Sequence, residues 1–215
     1  KLCKKYGARV MVDDAHGIGV LGKKGRGTSD HFKVTKEVDL IMGTFSKSFA
    51  AIGGFVVTTS QVIHYLKHHS RSLIFSASLP PSITSSVLSA LSIIESKPFL
   101  RKKALRNADY LRENLKQIGF NVGELSHSAI IPVMIGDSLK SFKMWRILFD
   151  DGVFTTPVIP PAVPNNRAII RISTMASHKK EHLNKIIYAL KNAGEILGII
   201  EKRENSIFLT DGWKE

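Results

Sequence analysis

A single cysteine, Cys3, stands in 215 residues, which excludes an internal disulfide framework and a zinc site built from several thiolates. Long apolar runs are missing too. A stretch such as residues 196–200 (ILGII) falls far short of the roughly 20 residues that a bilayer-spanning helix needs. There is no internal repeat, and collagen-like, coiled-coil and low-complexity compositions are absent, so those classes drop out. Acidic residues are scarce beside basic ones, 18 against 31, for a net charge of +13. Such an excess suits nucleic acid, an anionic membrane face or phosphorylated small molecules. The cations form short scattered groups, Lys4 and Lys5, Lys23 to Arg26, Arg101 to Lys103, Lys179 and Lys180. No helix-turn-helix, zinc-finger or RNA-recognition pattern goes with them, so no nucleic-acid partner is expected.

What is present is an ordinary globular composition, 43% hydrophobic and 23% charged, with a mean hydropathy close to zero and enough length for a sizeable core. Compact apolar runs at 8–12, 39–42 and 54–57 read as strands buried on both faces, which places the first part of the chain in the α/β class. Between the first two runs, residues 17–31 carry Gly17, Gly19, Gly22, Gly25 and Gly27 and read as one long loop. Pro80 and Pro81 open a helix that Pro98 closes, and an amphipathic helix from Leu100 stops at Gly119. Strands at 130–135, 153–158 and 168–173, a helix over 139–149 and a last helix from His178 complete a small α+β layer domain. The expected division is 1–98 for the first domain, 99–201 for the second and 202–215 for a loose polar tail. Because the sequence opens on Lys1 in what reads as the end of a helix, its start is expected to lie further upstream.

The chemistry gathers where apolar runs end. Asp13 closes the first run and His16 follows three residues later; Lys47 lies just past the second, in GTFSKS (43–48). In open α/β sheets, ligands bind at the carboxyl ends of strands. Taken singly, Asp13 could be a turn residue, His16 a satisfied polar group, and a Ser-Lys pair says little. Together they suit pyridoxal 5'-phosphate, whose aldehyde needs a lysine, whose ring nitrogen needs a carboxylate, and whose phosphate needs hydroxyls such as those of Thr44 and Ser46.

The segments VDDAHGIGVLG (12–22), GRG (25–27) and TFSKSFA (44–50), in that order, resemble the α-oxoamine synthases, pyridoxal-phosphate enzymes of fold type I that condense an amino acid with an acyl-CoA. The likeness covers about residues 1 to 200 and begins midway through the family's cofactor domain. It implies the later part of a large domain with a mainly parallel sheet, followed by a whole small domain. It further implies that Asp13 pairs with the pyridine nitrogen, His16 contacts the ring hydroxyl, Lys47 holds the cofactor covalently and Thr44 binds its phosphate. Ser76 and Ala77, in IFSASLPP (74–81), match a segment that reaches the cofactor phosphate of a partner subunit, implying a homodimer. Arg171, in IRIS (170–173), matches the arginine that binds the amino-acid carboxylate.

Within the family, HHSRSLIFSA (68–77) and TPVIPPAVP (156–164) are most similar to the serine palmitoyltransferases, which implies L-serine and a long-chain acyl-CoA as substrates. Two alternatives stay open: a relative that uses glycine or alanine with another acyl-CoA, and a non-catalytic subunit. The presence of Lys47, Asp13 and His16 together speaks against the second. The expected location is cytoplasmic, with the positive charge suited to CoA phosphates and to peripheral contact with a membrane. No metal site is expected.

Overall fold

The computed structural model describes residues 1–123 and 127–202, so the expected tail lies almost wholly outside the described residues. These residues fall into two compact units that divide after Arg101.

In the first unit a short helix α1 (Leu2–Tyr6) ends at Gly7, whose φ of 62° gives a left-handed cap. Strand β1 (Met11–Asp13) pairs in parallel with β2 (Leu40–Thr44), and β2 pairs antiparallel with β3 (Gly54–Val57). The connection between β1 and β2 contains helix α2 (Thr28–His31) and a 3₁₀ turn at Thr35–Glu37. Helices α3 (Ser60–His69), α4 (Arg71–Ile74) and α5 (Pro81–Ser96) follow, the last with proline at its first position, where the missing N–H costs nothing.

In this unit four details differ from the sequence reading. The first strand starts at Met11 rather than Ala8, because the Val10 N–H is taken by the Asp39 carboxylate at 2.8 Å. That bond, with Arg9 beside it at 3.0 Å, holds the Asp39 carboxyl below its ordinary range. Residues 17–31 are not loop throughout, since Thr28–His31 closes a helical turn. Helices α3 and α4 were not expected, although Ile63 and Leu66, one helical turn apart, are the partly buried residues of α3. The strands were read as buried on both faces, yet Met11 is 63% and Val57 53% exposed. Among the described residues, the apolar partners needed to cover both faces of this sheet are not supplied.

The second unit closes a core of its own. Helix α6 (Pro98–Gln117) runs across the division. Beyond it come β4 (Ile130–Gly136), α7 (Ser138–Asp150), β5 (Thr156–Val158), β6 (Ala168–Ser173) and α8 (Lys180–Ile196). The sheet order is β4-β6-β5, antiparallel throughout. Strand β5 begins at Thr156 rather than near Val153. Along β6, Ala168, Ile170 and Ile172 are buried in alternation with less buried neighbours, the mark of a sheet with one face on a core. Leu111 and Leu115 of α6, Met144 and Leu148 of α7, and Leu183, Ile187 and Leu190 of α8 pack with that face. The Asp137 carboxylate caps α7 by accepting from Lys140 N at 2.7 Å.

A polar seam crosses this core. Asn107, fully buried, donates from Nδ2 to the Met175 and His178 carbonyls at 2.8 and 3.2 Å, and Thr174 Oγ1 reaches the Ala104 and Ala129 carbonyls. These bonds fix the turn between β6 and α8, in which Met175 N donates to His178 Nδ1 at 3.3 Å. Burial, aided by the neighbouring His182, lowers the His178 pKa below 6.5. The folded state therefore favours neutral His178, whose Nδ1 must stay unprotonated to accept. This contribution to stability is present above the unfolded pKa near 6.5 and is lost as pH falls through it toward the folded value. Urea midpoints measured from pH 7.5 down to 5 should fall in that window, and the fall should be smaller for His178→Asn, which does not titrate.

Candidate functional site

Parallel pairing brings the candidate residues of the first unit to one edge. Met11 stands opposite Leu40 and Asp13 opposite Met42, so β1 and β2 end side by side. Asp14 N extends the ladder to the Met42 carbonyl at 2.8 Å. Asp13 is exposed at this end, and its Oδ1 accepts from Ala15 N at 3.0 Å. The chain then turns, with Gly17 N and Ile18 N donating to the Asp14 carbonyl, and this turn carries exposed His16.

Thr44 is the last residue of β2. Its Oγ1 donates to the Gly53 carbonyl at 3.1 Å, accepts from Ser46 N at 3.2 Å and lies 2.9 Å from Ser46 Oγ. The hydroxyls of Thr44 and Ser46 thus stand together beside Lys47, whose side chain is exposed. Phe45 N also donates to the Gly53 carbonyl, at 2.9 Å, and Ala50 N closes a turn on the Lys47 carbonyl. Phe49, 7% exposed, anchors the segment from below, with its ring edge-on to Phe45 at 5.4 Å. A lysine on a loop held this firmly has a fixed base for its amine, as covalent capture of an aldehyde requires.

The two motif segments touch. Ser48 Oγ donates to the Ile18 carbonyl at 2.9 Å. Gly19, at φ 81°, lies so close that a Cβ there would stand 2.5 Å from the Ser48 Cβ. The structure therefore assembles Asp13, His16, Thr44, Ser46 and Lys47 at one strand-end edge.

Ser76 and Ala77 follow α4 in a segment exposed throughout. Ser76 Oγ donates to the Ser72 carbonyl, and Phe75 is 82% exposed. Arg171 belongs to the second unit, in the central strand β6, with Pro132 and Thr156 as its cross-strand neighbours. It lies on the face opposite buried Ile170 and Ile172, half-buried, with no hydrogen bond or ion pair among the described residues. A guanidinium so placed can take a carboxylate in bidentate fashion.

A cavity of about 770 Å³ opens beside β2 and β3, bounded by Thr44, Phe55, Ile63, Leu66 and Lys67 among others. Lys47 does not line it. The strand-end edge is the better candidate, since a lysine, a carboxylate and two hydroxyls stand there while the cavity wall is mostly apolar. Asp14, Thr28 and Ser48 also shape the edge, and they escaped the sequence reading. The crowding of glycines around Asp14 was the signal available.

Residues 1–190 match the family model for aminotransferase class I and II. The serine palmitoyltransferase of Bacteriovorax stolpii is 46% identical over 199 residues, covering 93% of this chain and 47% of that protein. The 8-amino-7-oxononanoate synthase of Thermoanaerobacter pseudethanolicus is 40% identical over 200 residues, covering 93% and 50%. A solved serine palmitoyltransferase from S. paucimobilis, with a bound PLP-myriocin aldimine, superposes with a TM-score of 0.86 at 33% identity, covering 93% of this chain and 50% of that one. The chain spans about half the length of the curated relatives it matches.

Removing the anchor beneath the lysine tests the loop architecture. Phe49→Ala should destabilise the first unit by about 3 kcal/mol, the range for truncating a buried aromatic. It should also speed amide exchange across residues 45–53, read by urea unfolding and hydrogen exchange.

Proposed function

Because this chain belongs to the aminotransferase class I and II family, we propose that it forms part of a pyridoxal-phosphate-dependent acyltransferase. Its reaction condenses L-serine with a long-chain acyl-CoA to a 3-oxosphinganine-type ketone, CoA and CO2. The observation that carries this reading is the joining of the Asp13-to-Gly19 turn to the Lys47 loop through Ser48 and Ile18. The likeness to serine palmitoyltransferase over 93% of the chain supports the choice of serine.

The residues fit the cofactor. Thr44 and Ser46 offer paired hydroxyls to a phosphate, exposed Lys47 offers an amine, and Asp13 Oδ2 remains for a protonated ring nitrogen after Oδ1 has taken the Ala15 N–H. When bound, pyridoxal phosphate supplies an electron sink for the α-carbon of the amino acid.

With the cofactor bound, Asp13 would hold the proton of its ring nitrogen and His16 would contact its ring hydroxyl. Arg171 binds the serine carboxylate and so orients the α-carbon. The Lys47 amine takes the α-proton. The α-carbon then attacks the acyl carbonyl and CoA leaves as thiolate, which takes a proton from water; the former serine carboxylate departs as CO2, and the Lys47 ammonium returns its proton to the α-carbon.

In the same reading, residues 1–98 are the later part of a cofactor domain and 99–201 a small C-terminal domain. The protein works as a homodimer in which exposed Ser76 and Ala77 serve the partner's cofactor phosphate. It is cytoplasmic, and its net charge of +13 favours acyl-CoA phosphates and peripheral contact with an anionic membrane. No helix among the described residues is long and apolar enough to cross a membrane.

A second reading, an α-oxoamine synthase with another amino acid, draws on the 40% identity to an 8-amino-7-oxononanoate synthase. Titrating the intact protein with serine, glycine and alanine while following visible absorbance separates the two. Serine alone should change the spectrum, and Lys47→Ala should abolish that change and lower turnover by about a hundred- to ten-thousandfold. A response to alanine or glycine but not serine moves the assignment to the second reading. Wild-type absorbance and turnover in Lys47→Ala sink both.

A further inference from the structure

Asp14 is 2% exposed, and it is the one buried carboxylate among the described residues. None of the ion pairs among those residues involves it. A carboxylate taken out of water without a cation is costly unless N–H and O–H donors replace its hydration. Both donors come from one residue: Thr28 N gives to Oδ2 at 2.7 Å and Thr28 Oγ1 to Oδ1 at 2.5 Å. The walls of the site are glycine. A Cβ on Gly17 would overlap Asp14 Oδ1 and one on Gly27 would overlap Oδ2, so the loop wraps the carboxylate as closely as backbone can.

The main chain of Asp14 is equally engaged. Its N–H extends the β1 to β2 ladder through Met42, and its carbonyl accepts from Gly17 and Ile18 to close the turn that bears His16. Successive side chains at a strand end point to opposite faces, so holding Asp14 inward holds Asp13 outward. The same clamp sets the start of α2, since Thr28 is its first residue.

We propose that Asp14 is a positioning residue: clamped by Thr28 between Gly17 and Gly27, it fixes the orientation in which Asp13 and His16 meet the cofactor. This rests on the reading of Asp13 and His16 as cofactor contacts. Asp14 touches neither cofactor nor substrate and acts through the turn alone.

Geometry rather than charge is the operative feature, and the Asn variant isolates it. In Asp14→Asn, Oδ1 can accept from Thr28 N while the Thr28 hydroxyl, able to donate or accept, takes a bond from Nδ2. Asp14→Ala loses both bonds, and Thr28→Val loses the hydroxyl bond only. In the intact protein loaded with pyridoxal phosphate, Asp14→Ala should bind the cofactor about ten- to a hundredfold more weakly, the scale of losing bonds to a charged group. The pH midpoint of its visible band should move by about half a unit or more. Thr28→Val should weaken binding about three- to tenfold. Asp14→Asn should stay within about threefold of wild type and keep its midpoint.

A merely structural role would lower the melting temperature and leave the band of the folded protein unmoved. Wild-type affinity and midpoint in Asp14→Ala overturn the proposal, and so does an Asn variant that fails as Ala does. Hydrogen exchange at the Thr28 amide gives a readout independent of the cofactor: protection should be lost in the Ala variant and kept in the Asn variant. A wild-type protein without a Lys47-dependent band overturns the functional reading and the cofactor role with it. The Thr28 exchange result then still reports whether the clamp exists.

Discussion

Parallel pairing of β1 with β2, with Asp13 opposite Met42, is the constraint on which the first unit depends. Two strands running the same way must end on the same side. The chain leaving β1 and the chain leaving β2 therefore meet there, although 30 residues separate Ile18 from Ser48. An antiparallel pair would have sent Asp13 and Thr44 to opposite ends of the sheet. Everything placed at this edge follows from that direction: the Asp13 turn, the paired hydroxyls of Thr44 and Ser46, and the Lys47 loop.

Holding the edge still takes more than sheet pairing, because strands of three and five residues carry few ladder bonds. The added rigidity comes from contacts that the glycines permit. Gly17 and Gly27 let backbone close on the Asp14 carboxylate, and Gly19 lets the first loop lie against Ser48. Beneath the second loop, Phe45, Phe49 and Phe55 form an aromatic floor. Flexible residues and rigid geometry are compatible here, since an absent side chain is what allows the close approach.

The units differ in how far their own residues complete them. The second buries leucines and isoleucines from α6, α7 and α8 with one face of a three-stranded sheet, and its buried Asn107, Asn114 and Thr174 side chains find carbonyl partners. In the first, none of α3, α4 and α5 has a buried residue. This explains why the continuous apolar runs of β1 and β2 were a poor guide to burial. Alternation is satisfied by one covered face, whereas a continuous run needs two, and the described residues supply less than that.

Much was legible before any coordinates. The span of β3, the proline-opened helix α5, the β6 segment and the gathering of Asp13, His16 and Lys47 at strand ends could all be read from local apolar patterning and punctuation. Those signals act over a few residues, which is why a linear string records them. Residues 28–31 were misread because the helical turn there is set by a carboxylate 14 residues earlier. Helix α4 was missed because it is a single turn, and α3 because its apolar pair, Ile63 and Leu66, lies among histidines and a lysine. Between the adjacent acids Asp13 and Asp14, the string could not say which faces solvent and which is enclosed. That depends on the donors of Thr28 and the space left by Gly17 and Gly27, and only folding brings those distant backbone atoms around one side chain.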